Sequence, residues 1–304
     1  MTMRILFRHW LIASLVLGLS LTAQAESLKI ATQYPPGSAA VSSLQALSAE
    51  LAAATDGALD LKLYPSGVMG NDATVLRKIR VGQLQGALVS SSTLTLLDIP
   101  AEGISQPFQF DSLEAVDAAR IEFDPTIRAR LAEHGWYGFG PLDGGFAYLM
   151  SQQPVNGMAG LHASKLWLPD TPSVRDLSRS VDIDFAVLGI GDVLAALETG
   201  AVDALIAPPA AALTLNWHSR LDYLTDQPVV YTWGILILPE RALARLTEEQ
   251  RLVVSEHLNG WARDLDAQMR QSNASARAAL LSLLTPVAFA PTDLSDLRQQ
   301  LPTP

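Results

Sequence analysis

Between Ser27 and Ser90 the chain alternates strand-like and helix-like segments, and this order restricts the fold more than any other feature. Ser27–Thr32 (SLKIAT) reads as a short strand, and Gln33-Tyr34-Pro35-Pro36-Gly37 stops it. Ala39 to Ala54 carries Leu44, Leu47 and Leu51 at helical spacing, and Asp56-Gly57 closes it. Leu59–Tyr64 (LDLKLY) alternates as a strand does, and Pro65-Ser66-Gly67 turns the chain. Asn71 is a suitable N-cap for a helix holding Val75, Leu76 and Ile79. Gly86–Ser90 (GALVS) is a short apolar run of the sort that forms a buried parallel strand. The order β-α-β-α-β predicts an α/β lobe with a mainly parallel sheet.

A second block repeats this construction. Ala147–Ser151 and Lys165–Leu168 are strand candidates, Gly191 to Thr199 a helix, and Ala204–Ala207 a short buried strand. GQLQGALV (Gly82–Val89) and GAVDALIA (Gly200–Ala207) share a helix, a glycine and then a strand. The glycine supplies a left-handed cap without a Cβ clash. With 304 residues the chain has room for two such lobes. The C-terminal part differs. Thr247 and Gln250 form a capping-box pattern, and Val254, Leu258, Trp261, Leu265 and Met269 recur behind it. A helix of even 30 residues extends roughly 45 Å, more than one small lobe, so it is expected to lie across both; Asn259-Gly260 is a place where it can bend. The expected fold is therefore α/β, two-lobed, with mixed, mainly parallel sheets, a hinge and a long spanning helix. The expected division is residues 1–25 as a signal peptide, 26–146 as lobe I, 147–230 as lobe II, and 231–304 as crossing segment, spanning helix and C-terminal segment shared by both.

The signal peptide reading rests on order: Arg4 and Arg8, the apolar run Trp10 to Leu21, then Ala23-Gln24-Ala25 as a small-residue cleavage site. The apolar run is short for a membrane span, which needs about 20 residues. The expectation is export to a bacterial periplasm. Processing would leave 19 basic against 31 acidic residues, a net charge near −12, which repels phosphate backbones and argues against nucleic acid. There is no cysteine, which excludes disulfides, thiolate metal sites and a cysteine nucleophile.

Motifs for chemistry are scarce. No pair among His9, His134, His162, His218 and His257 has the spacing of a helical zinc site, and no HExxH, GxSxG or GxxxxGKS occurs. No cofactor or metal is expected. Ser90-Ser91-Ser92-Thr93 follows a strand and can bond a ligand or its own backbone. Asn273-Ala274-Ser275 matches a glycosylation sequon but falls within the predicted long helix. Aromatics and prolines gather at strand ends, where open α/β sheets bind ligands. Tyr34, Ser91, Phe146, Trp167, Pro169, Ala207, Pro208, Trp217 and Trp233 are the candidate ligand-binding residues.

An ordered series of segments resembles the periplasmic solute-binding subunits of TRAP transporters, the C4-dicarboxylate (DctP-type) family. It comprises LKIATQYPPGS, Tyr64-Pro65-Ser66-Gly67 with Gly70, LRKIRVGQLQGALVSS, Pro107-Phe108, Leu161 to Pro169, LETGAVDALIAPP and LTEEQRLVV. The resemblance implies two lobes closing by a hinge on a small organic ligand, delivery to a large and a small permease subunit, and no catalysis. It also exposes two departures. The family's carboxylate-clamping arginine in Lys-x-Arg-x-Pro corresponds to Trp167, and its asparagine just after the Val-Asp-Gly segment to Ala207. A buried carboxylate without a cation costs several kcal/mol, which favours an apolar, aromatic or weakly polar ligand. The alternatives are an organic acid anchored by Arg175 or Lys165, a periplasmic lipid carrier, and an exported hydrolase using Ser90–Ser92.

Overall fold

The computed structural model describes residues 26–169, 183, 185–244 and 246–289. The signal peptide and Arg175 lie outside these residues. The elements are, in order, β1 (Glu26–Thr32), α1 (Ala39–Ala54), β2 (Leu59–Tyr64), α2 (Asp72–Arg80), β3 (Gly86–Ser90), α3 (Leu113–Glu133), β4 (Trp136–Ser151), α4 (Met158–Ala163), β5 (Leu166–Leu168), β6 (Phe185–Val187), α5 (Val193–Thr199), β7 (Ala204–Ala207), α6 (Pro209–Thr214), β8 (Tyr223–Thr225), β9 (Val230–Pro239), α7 (Glu240–Leu243), α8 (Glu248–Leu283) and β10 (Thr285–Val287).

Local signals place the first elements. The Ser38 side chain accepts from the Val41 N–H and starts α1, and Asn71 does the same for α2 through Thr74. Leu44, Leu47 and Leu51 bury one face of α1, and Val75, Leu76 and Ile79 bury one face of α2. Gly82 and Gly200 both adopt the left-handed conformation, at φ +78° and +70°, where a side chain would be strained. The helix beginning at Gly191 in the sequence reading starts at Val193, after a 3₁₀ turn over Ile190–Asp192.

The strands run in the order β2-β1-β3-β9-β4-β7-β5-β6, with β8 paired to β4 and to β10. β1 pairs parallel with β2 and β3, and β5 pairs parallel with β6 and β7. The two parallel groups are joined through antiparallel partners. β9 pairs with β3 and β4, and β4 pairs with β7 and β8. β4 is thus the crossing strand. The sequence marks its last five residues; in the structure it has 16, joined to β9 from Trp136 to Ala147 and to β7 from Tyr148 to Ser151. Register shifts fall between Phe139 and Leu142 and between Asp143 and Gly145, both within the stretch paired to β9 and ahead of the passage to β7. Helix α3 has no counterpart in the sequence reading; Pro125 lies inside it, and only Val116, Ile127 and Leu131 are buried.

Four apolar cores follow the same division. Two lie on either face of the β1–β3 group, one under α1 and the start of α8, the other under α2 and α3. Two more lie on either face of the β5–β7 group. Helix α8 opens with both bonds of the Thr247–Gln250 capping box and runs 36 residues, roughly 54 Å. It is continuous through Asn259-Gly260. Leu258, Trp261, Leu265 and Met269 sit in the first lobe's core, and Leu280 in the second's. Among the described residues no helix is long and apolar enough to cross a membrane.

Candidate functional site

The carboxyl ends of the parallel strands converge on one short stretch of β4. β3 ends at Ser90 opposite Gly234, and Gly234 pairs with Leu142. β7 ends at Ala207 opposite Tyr148. Leu142 and Tyr148 are six residues apart on a strand, about 20 Å. Open α/β sheets bind ligands beyond the carboxyl ends of their strands, which makes this junction the candidate site.

Several of the predicted residues meet there. Tyr34 follows β1 and is half-buried, and its hydroxyl lies 3.6 Å from where a Cβ on Gly234 would be. Burial pushes its ionisation up to about 12, and the nearby Asp143 carboxylate adds to the shift. Phe146 is half-buried, packs against cores of both lobes, and meets Tyr231 edge to face at 5.6 Å. Ala207 is buried and Pro208 half-buried at the end of β7. Trp233 is buried against Phe123 of α3, ring centroids 5.3 Å apart, and its indole N–H has no partner. Ser91 is half-buried in the 3₁₀ turn after β3. Its neighbours bond one another, Ser90 to Ser92 at 2.9 Å and Ser90 to Thr93 at 3.3 Å, and Thr93 donates to Asp72. The bonds of the run's hydroxyls go to one another and to Asp72, with no histidine among them.

Trp167 and Trp217 lie in the second lobe's core together with Ala207 and Tyr148. They pack on each other at 5.1 Å in the second lobe's core, 2% and 1% exposed, and the Trp167 indole donates to the Leu188 carbonyl at 3.1 Å. Pro169 follows β5 and is exposed. Lys165 lies at the opposite, amino end of β5. Its ammonium donates to the Gly200 carbonyl at 3.0 Å and its N–H to Asp203.

The sequence reading overlooked a charged cluster against the crossing strand. Asp143 of β4 is fully buried, and its carboxylate accepts from the Tyr231 hydroxyl at 3.0 Å. Arg270 Nε of α8 lies 3.0 Å from the same oxygen, but its N–H is not aimed along that line, so the contact is an ion pair and not a hydrogen bond. Arg270 also forks onto Asp117 at 2.6 and 2.9 Å. Asp266 accepts from the Asp143 N–H at 2.7 Å and from Arg120 at 2.9 Å, and Arg120 in turn holds Asp124 and the Pro141 carbonyl. Burial raises the Asp143 carboxyl above the usual carboxylate range, with Arg270 opposing it. Asp117, bonded to Arg270, is held low. Further along the helix, Asn273 bonds Gly144, and Arg277 lies over the Tyr148 ring at 5.1 Å. Asp266, Arg270, Asn273 and Arg277 stand four, three and four residues apart, one polar stripe facing β4. That spacing was visible in the sequence beside the apolar stripe. Among the described residues no group of three or more His, Asp or Glu is arranged to hold a metal ion.

Known proteins share the fold. A solute-binding protein of Roseobacter denitrificans is 22% identical over 68% of this chain and 64% of its own length. The C4-dicarboxylate-binding periplasmic protein DctP of Rhodobacter capsulatus is 24% identical over 77% of this chain and 76% of its own. A TRAP periplasmic solute-binding protein from Citrobacter koseri, crystallised with bound D-glucuronate, superposes with a TM-score of 0.78 at 19% identity, covering 90% of this chain and 94% of that one. The two-lobed fold is common to both. The DctP family model, described as bacterial extracellular solute-binding protein, family 7, matches residues 30–302. This chain therefore belongs to the DctP family of bacterial extracellular solute-binding proteins.

Proposed function

We propose that the chain is the capture subunit of a TRAP-type secondary transporter, closing its lobes on a small organic ligand and delivering it to a large and a small permease subunit. The ligand in this reading is apolar, aromatic or only weakly polar. The observation that carries it is the state of the cations. Among the described residues beside β4, Arg120 and Arg270 are paired with aspartates, Arg128 donates to the Gly140 carbonyl, and Arg277 lies over the Tyr148 ring and donates to the Asp226 carbonyl, with no carboxylate paired to it and its Nε without a hydrogen-bond partner. Lys165 is held at the far end of β5. In this reading Arg277 stays on the Tyr148 ring and the Asp226 carbonyl, and a carboxylate at the junction that did not draw it away would keep a desolvation penalty of several kcal/mol. Tyr34, Ser91, Phe146 and Pro208 form the wall in this reading, Pro169 the rim, and Ala207, Trp167, Trp217 and Trp233 the backing layer.

Native mass spectrometry of the purified protein weighs whatever it retains. Calorimetry then compares D-glucuronate and succinate with neutral aromatic compounds. Tight binding of either acid overturns the apolar reading. The second reading, an organic acid, is favoured by the relatives, one crystallised with D-glucuronate and one named for C4-dicarboxylates. It assigns the cation to Arg175 and predicts that Arg175→Ala abolishes acid binding.

A further inference from the structure

Asn273 sits midway along α8, where the sequence alone offers only a glycosylation motif. Its amide is used on both sides. Nδ2 donates to the Gly144 carbonyl at 3.1 Å and to the Met269 carbonyl at 3.2 Å. Oδ1 accepts from the Ala210 N–H at 3.2 Å. Gly144 lies at the register shift of the crossing strand, two residues before Phe146. Ala210 is the second residue of α6 and follows the second lobe's rim at Ala207-Pro208. One side chain thus ties helix, crossing strand and rim together.

The fit leaves no room for substitution opposite. A Cβ on Gly145 would lie 2.4 Å from Asn273 Nδ2, and Gly145 is left-handed at φ +84°. On one side of Asn273 the helix is anchored in the first lobe's core by Leu265 and Met269, on the other in the second lobe's core by Leu280. Apolar packing is non-directional and tolerates small sliding, whereas hydrogen bonds fix distance and angle. The Asn273 amide is the directional element between the two anchors that reaches both β4 and α6.

We propose that Asn273 is a positioning residue for the ligand cleft: its amide holds the rim at Ala207–Ala210 against the crossing strand at Gly144–Phe146 and so sets the interlobe angle. This rests on the cleft lying at that junction and not on the identity of the ligand.

The chain has no cysteine, so two introduced cysteines can be labelled cleanly. Val68 follows β2 and Val187 ends β6, the outermost strands of the two groups, and both are exposed. Spin labels on V68C and V187C report the interlobe distance without added ligand, in the wild-type, N273D and N273A backgrounds. N273D keeps the acceptor for Ala210 and loses the donor to Gly144; N273A loses both. Measured well below melting, with circular dichroism showing intact helices, N273D should broaden the distance distribution. N273A should broaden it as well, raising the minor population about five- to tenfold, as loss of one or two net hydrogen bonds allows. N273D sets an acceptor oxygen against the Gly144 and Met269 carbonyls and should raise it by at least as much. Identical distributions in all three proteins overturn the proposal, as does a lowered melting temperature with unmoved distances. If N273A does not fold, N273D and N273S carry the comparison.

Discussion

Arg270 of the long helix meets Asp143 of the crossing strand at 3.0 Å, joining a side chain that is 23% exposed to one that is 1% exposed. The guanidinium supplies the charge that makes a buried carboxylate tolerable. Removing it strands Asp143. Arg270→Ala should cost roughly 3 kcal/mol, the low end for a broken buried pair because Arg270 keeps some contact with water. Arg270→Lys keeps the charge but loses the fork onto Asp117 and should cost less. Urea unfolding measures both; equal losses for the two variants would contradict this account.

The same carboxyl predicts a pH dependence. Burial raises Asp143 in the native state, so the native protein holds that proton to higher pH than the unfolded chain does. The stability it contributes is full below the unfolded value of about 3.9 and is lost as pH rises through the native one. Asp143→Asn removes this titration. Relative to wild type, its urea midpoint should therefore rise as pH increases above about 4. Asp117, held low by Arg270, acts in the opposite sense, but it is present in both proteins. Arg270→Ala removes the chief group holding Asp143 down and should steepen the fall. A variant-minus-wild-type difference that stays flat across this range would show that Asp143 does not titrate there.

Trp167 is a core residue in its surroundings, and its substitutions separate packing from binding. Trp167→Ala opens a cavity against Trp217 and should cost about 3–5 kcal/mol. Trp167→Phe keeps a ring and strands the Leu188 carbonyl, for about 1 kcal/mol. Chemical denaturation gives the costs. Ligand retention by folded Trp167→Phe, read by native mass spectrometry, assigns the indole to packing; loss of the retained mass assigns it to the ligand.

Glycine replacements test the geometry of the crossing strand. Gly82 and Gly145 are both left-handed, but a Cβ meets nothing within 4 Å at Gly82 and meets the Asn273 amide at Gly145. Gly82→Ala should cost about 1 kcal/mol, the backbone penalty alone. Gly145→Ala should cost distinctly more. Melting temperatures of the pair decide it, and equal shifts would mean that Asn273 yields without cost.

Much of the architecture was legible in the chain itself. Ser38 and Asn71 cap α1 and α2, Thr247 and Gln250 open α8, and the glycines at 82 and 200 end matching helices. The site was legible only in part. Tyr34 and Phe146 both lie near the junction because one follows β1 and the other lies within β4. Trp167 and Trp217 share that sequence context, yet their rings turn into a core.

Caps, turns and periodic apolar faces depend on residues within a few positions of one another, so the order of letters alone determined the two α/β groups, the long helix and the membership of the chain in a binding family. The partner of a buried charge is set by folding. Asp143 and Asp266 are 123 residues apart, and Arg120 and Asp266 are 146 apart. Only the packing of α3 and α8 against the edge of β4 decides that these groups meet, that the indole at 167 is turned inward, and that one asparagine reaches both the crossing strand and the rim.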